Sequence, residues 1–71
     1  MKVKKLDVRD LEPPQPMVII AREVEKLGEG EVLEVLGLKP FVNLIPKLEK
    51  WGFSYELKEV EEGYLLRIWR K

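Results

Sequence analysis

Leu6-Asp7-Val8-Arg9-Asp10-Leu11-Glu12-Pro13-Pro14-Gln15-Pro16-Met17 decides how this chain folds. Leu6 and Val8 alternate with Asp7 and Arg9, the period-two signature of a strand with one apolar face, predicted over Val3 to Arg9. Pro13, Pro14 and Pro16 end it. Proline holds φ near −65° and drives the residue before it out of the helical region, so the chain stays extended through Glu12 and Pro13. Proline is tolerated in a first helical turn, which lets a helix begin between Pro14 and Pro16.

That helix is predicted over Gln15 to Leu27. Met17, Ile20, Ala21, Val24 and Leu27 share one face, and Arg22, Glu23, Glu25 and Lys26 the other. Val18 and Ile19 widen the apolar stripe and predict deep burial at its start. Gly28 is placed as a left-handed terminator, with the turn made by Gly28-Glu29-Gly30. A second strand, Glu31 to Leu36, carries Leu33 and Val35 on one face and Val32 and Leu36 on the other. Apolar residues on both faces suit an interior strand, or one covered by a partner.

Gly37-Leu38-Lys39-Pro40 reads as a loop. Phe41, Leu44, Ile45 and Leu48 have helical spacing, but an interior proline costs about 3 kcal/mol. Pro46 is therefore placed at the opening of a short regular helix after an irregular turn, with Trp51 in or half in the core and Gly52 as its cap. Phe53, Tyr55 and Leu57 mark a half-buried strand. After the turn Glu61-Glu62-Gly63, Tyr64 to Arg70 form the last strand, paired with it as an antiparallel hairpin. The order is βαβαββ: an α+β, two-layer sandwich with two helices on one face of a four-stranded mixed sheet. Residues 1–71 form a single domain.

The sheet's outer face then has no helix over it. Val32, Leu65, Arg67 and Trp69 are its candidate interface residues, with Arg9, Glu34 and Lys58 around them. Two readings stand: apolar residues scattered on a surface, or a face for a second copy or a protein partner. The proline corner is the other candidate, a rigid docking surface made by Pro13, Pro14, Pro16 and Met17. Rigid prolines lose little entropy on binding, and they equally stiffen a loop.

Composition narrows the function classes. Seventy-one residues bury a small core, which favours charge networks, short loops or self-association as supplementary stabilisers. Cysteine and histidine are absent, which excludes disulfides and His/Cys metal sites. Glu and Lys dominate while Asn and Gln occur once each, a bias shared with proteins of hot environments. The formal charge is zero, against the basic excess of a nucleic-acid module, so nucleic acid is an unfavoured partner. Lys2, Lys4 and Lys5 with Arg67, Arg70 and Lys71 leave a local basic patch open. No apolar run reaches the ~20 residues a bilayer span needs, and no signal-peptide pattern is present. A cytoplasmic protein with no membrane partner is expected.

The same residues carry a resemblance. Leu6-Asp7-x-x-Asp10-Leu11-Glu12-Pro13-Pro14-Gln15-Pro16 resembles the opening of the TusA/SirA sulfur-carrier family, Leu-Asp-x-x-Gly-Leu-x-Cys-Pro-x-Pro. Gly30-Glu31-Val32-Leu33-Glu34-Val35 is similar to that family's second strand. The nearest likeness is to a cysteine-less sister group of uncharacterised domains, with Glu-Pro-Pro-x-Pro-Met at the corner. Their later segment is similar to Pro46-Lys47-Leu48-Glu49-Lys50-Trp51-Gly52-Phe53. The resemblance covers nearly the whole chain and implies the same sandwich. In the carriers the corner cysteine takes up sulfur; that position is Pro13 here, and Asp10 replaces the glycine. The sister group often has a histidine after its second strand, where this chain has Gly37-Leu38-Lys39.

Neither reactive group is present, and proline offers no polarizable atom for sulfur relay. Ser54 has no histidine to activate it. Asp7 and Asp10 flank Arg9, and Asp7 reads best as a strand-end ion pair or turn acceptor. Anion binding at the first helix is weakened by prolines that lack N–H donors and by the charge of Glu12. The expected function is a non-enzymatic binding or interaction module with no cofactor or metal. The alternative is an accessory of sulfur or redox metabolism that docks onto a sulfur-handling enzyme. RNA binding through Trp69 and the terminal basic residues is the least favoured.

Overall fold

The computed structural model describes residues 2–71. The elements follow the order strand, helix, strand, helix, strand, strand: β1 Lys2–Asp7, α1 Gln15–Glu25, β2 Glu31–Gly37, α2 Ile45–Lys50, β3 Phe53–Val60 and β4 Gly63–Arg70. The sheet order is β1-β2-β4-β3. β1 and β2 are parallel, while β4 runs antiparallel to both β2 and β3. The architecture is thus the α+β sandwich with a mixed four-stranded sheet, and β2 is an interior strand.

Both helices cover one face. Leu33 and Val35 of β2, Leu66 and Ile68 of β4 and Phe53 of β3 meet Ile20 and Val24 of α1, Leu48 of α2, and Leu27 and Leu44 just outside the helices in one buried cluster. Val8 joins them from the end of β1. No polar or charged residue is buried among the described residues. The core therefore holds by apolar burial alone, at about 25 cal/mol per Å² removed from water.

Local chemistry explains the element ends. β1 stops two residues short of Arg9 because Asp7 turns the chain: its Oδ1 accepts the Arg9 backbone N–H at 3.0 Å. Gln15 N–H donates to the Glu12 carbonyl at 2.9 Å and seats the first turn of α1. α1 ends earlier than Leu27, at a right-handed Lys26 cap. Gly28 is not a left-handed terminator; its N–H is held by Glu31 Oε1 at 2.7 Å, and Gly30 takes the positive φ of 79°. Val18 is 48% exposed rather than deeply buried, because α1 turns its Ile20/Val24 side to the sheet and leaves Val18 outside.

Pro46 lies in the first turn of α2, where its missing N–H breaks no bond. Gly52 follows at φ 87°. Trp51 is 45% exposed and outside the core, since Leu48 and Phe53 already fill the space beneath the short helix. Arg70 closes that end: its Nε donates to the Leu27 carbonyl and its guanidinium lies 5.2 Å from the Phe53 ring centroid.

Candidate functional site: an apolar groove at the proline corner

Two concave surfaces stand out, one on each side of the sheet. The first lies where the β1–α1 corner faces the loop after β2. Prolines make one wall rigid: Pro13, Pro14 and Pro16, with a cis Pro13–Pro14 bond, are followed by Met17. The opposite wall is the segment from Gly37 to Leu44. Val8, Leu11 and Ile20 complete the lining of a groove of about 400 Å³. The four corner residues are thus brought together, and they form half of a cavity.

The second wall was not singled out by periodicity, because an irregular turn has none. Its geometry rests on Phe41, which adopts φ 53°, a region that non-glycine residues seldom occupy. Its ring packs over Gly37, where a Cβ would come within 2.6 Å of the ring. Gly37 is hemmed in on its other side by Gly63, whose own Cβ would run into the Gly37 carbonyl. Glycine at position 37 makes room for the aromatic ring, and glycine at position 63 makes room for the Gly37 backbone. Leu38 and Val42 on this wall are 62% and 67% exposed, the most solvent-exposed of the large apolar side chains among the described residues. Two such residues in the connection between β2 and α2, residues 38–44, were the available sequence signal.

The polar groups of the groove are Arg9, Lys39 and Asn43. Arg9 is bound to Asp7 through Nε at 3.0 Å and Nη2 at 2.8 Å. Those bonds hold the Asp7 carboxyl down at about 2 and push the Arg9 guanidinium up. Asp7 is therefore the strand-end ion pair and turn acceptor. Asp10 does not line the groove. Among the described residues no group of three or more His, Cys, Asp or Glu stands close enough to hold a metal ion.

The second concavity is on the outer face of the sheet. Register places Val3, Val32, Glu34, Glu56, Arg67 and Trp69 on that side, around a shallow depression of about 440 Å³. Arg67 Nε donates to Glu34 Oε2 at 2.9 Å in its middle. Of the four interface candidates, Val32, Arg67 and Trp69 line it; Leu65 lies farther along, between Leu36 and Lys58. Ser54 sits beside Trp69 on the edge strand, with no acid–base partner near it among the hydrogen bonds of the described residues. No helix among the described residues is long and apolar enough to cross a membrane.

No curated protein and no solved structure matches this chain. A family model does, over residues 5–70, a span that takes in both groove walls, the end of β1 and the other three strands. The chain belongs to the family described as uncharacterized conserved protein (DUF2249).

Proposed function

We propose that this protein is a non-catalytic binding module that receives an exposed apolar segment of a protein partner in the proline-corner groove. The observation that carries it is the groove's make-up: a rigid proline wall facing a loop that holds Leu38 and Val42 out in solvent. Apolar side chains so placed gain by being covered, and the proline wall loses little entropy when that happens. The groove-lining residues include no thiol, hydroxyl, imidazole or carboxylate, which supports binding without chemistry of its own. The setting we assign is the cytoplasm.

Panning a random peptide library against the purified protein tests this. Selected peptides should be rich in Leu, Val and Phe, and Pro13→Asp or Leu38→Asp should abolish their binding. Peptides that bind instead through Trp69 would sink the reading.

A second reading draws on the likeness of the corner to TusA/SirA sulfur carriers. Pro13 lines the groove, and the corner motif aligns this residue with the reactive cysteine of those proteins. On this reading the partner is a sulfur-handling enzyme that recognises a carrier-like shape. Titration of a purified cysteine desulfurase against the protein would show saturable binding lost in Pro13→Asp; no binding would remove it. Self-association through the outer face is less favoured, because a second copy would have to desolvate the Arg67–Glu34 pair. RNA binding there is weaker still for a chain of zero formal charge.

A further inference from the structure

We propose that the partner segment seated in the groove carries a carboxylate beside its apolar residues, read by Lys39 with help from Arg9. The proposal rests on the groove being the binding site. The chain as a whole balances 13 basic against 13 acidic residues, but the groove does not. Its lining has Arg9 and Lys39 and no Asp or Glu. Lys39 is exposed and joins no ion pair among the described residues. Arg9 is largely neutralised by Asp7, yet its bonds use Nε and Nη2 and leave Nη1 without a hydrogen-bond partner among the described residues. The cation left unmatched is therefore Lys39, on the wall that also bears Leu38 and Val42. An anion placed there meets the attraction of Lys39 in a lining without carboxylates, whereas Asp7, Asp10 and Glu62 act on Arg9 and offset most of its share.

A polypeptide fits better than a small amphiphile. A ligand confined to about 400 Å³ touches Leu38 and Val42 only from inside the groove, and these two side chains are 62% and 67% exposed. An extended chain crossing the rim covers both while setting one side chain into the floor by Ile20.

The test uses the full ¹⁵N-labelled protein and three soluble peptides with the same apolar core, Leu-Val-Phe-Leu. One ends in a free carboxylate, one in an amide, and one in a Lys amide. Amide resonances of Leu11, Leu38 and Val42 should shift. The carboxylate peptide should bind about three- to fivefold more tightly than the amide at low salt. That gap should close near ~0.5 M salt, where charges are screened within a few ångströms. Lys39→Glu, an exposed change, should make the Lys peptide the tightest, and Lys39→Ala should level the three. Equal binding of carboxylate and amide peptides at low salt overturns this proposal while leaving the groove as the site. Shifts confined to the outer face, or none with any peptide, overturn both.

Discussion

The two concave surfaces of this molecule are nearly equal in size, about 400 Å³ at the corner and about 440 Å³ on the outer sheet, yet they are opposites in chemistry. The outer depression is the more charged: Arg67 and Glu34 neutralise each other at its centre, Glu31, Glu56 and Arg70 also line it, and Trp69 lies half-buried on its own sheet. The groove is incomplete. Its apolar rim stands in water and its lysine has no counter-charge. Volume alone does not make a binding site; what separates the two is the chemistry of the lining, mostly apolar in the groove, with two exposed side chains and one lysine unpaired among the described residues, and rich in both signs of charge on the outer face.

The largest effect should come from the floor of the groove, which belongs to the core. Ile20 is fully buried and reaches the groove. Ile20→Ala should lower stability by about 2–5 kcal/mol, read as a shifted urea midpoint. A negligible shift would mean that the groove floor is not part of the packed core.

The next test separates the surfaces. Trp69→Ala should reduce stability by about 1–2 kcal/mol through lost packing on the sheet and leave peptide binding intact. The double variant Leu38→Asp, Val42→Asp should change stability by no more than about 0.5 kcal/mol and abolish peptide binding. The reverse pattern would exchange the roles given to the two faces. A smaller effect is expected within the outer face. A double-mutant cycle of Arg67→Ala and Glu34→Ala should give a coupling of about 0.5–1 kcal/mol that fades with salt.

The smallest effect concerns Asp7. Its carboxyl ionises at about 2 in the folded chain against 3.8 for the free group. A depressed carboxylate contributes its stability fully above the unfolded value and loses it as pH falls through the folded one. The wild type should therefore weaken from about pH 4 down to 2 with a slope that Asp7→Asn removes. The pair is exposed, so the slope should shrink as salt is added.

Much of this was legible in the residues. Alternation in Leu6/Val8, Leu33/Val35 and Leu66/Ile68 assigned the strands and their buried face, and Pro46 and Gly52 bracketed the second helix. One wall of the groove was legible too, because prolines state their geometry locally. The other was not. The Phe41 ring can pack over Gly37 because Gly37 lacks a Cβ, and Gly37 in turn lies against Gly63, twenty-six residues on, a contact that no local pattern announces. Val18 and Trp51 misled for a related reason: apolar periodicity says that a residue can be buried, while short helices on a small sheet run out of room to bury it.

β4 closes the sequence of elements but lies between β2 and β3 in the sheet. During translation, β1, α1 and β2 emerge first, and the open hydrogen-bonding edge of β2 waits for a strand made some thirty residues later. Until then the nascent chain presents Leu33 and Val35 on an unpaired edge, a state prone to association with other chains. A delay before β4 has left the ribosome should therefore raise the demand for chaperones, whereas a delay after β4 has emerged and paired should not.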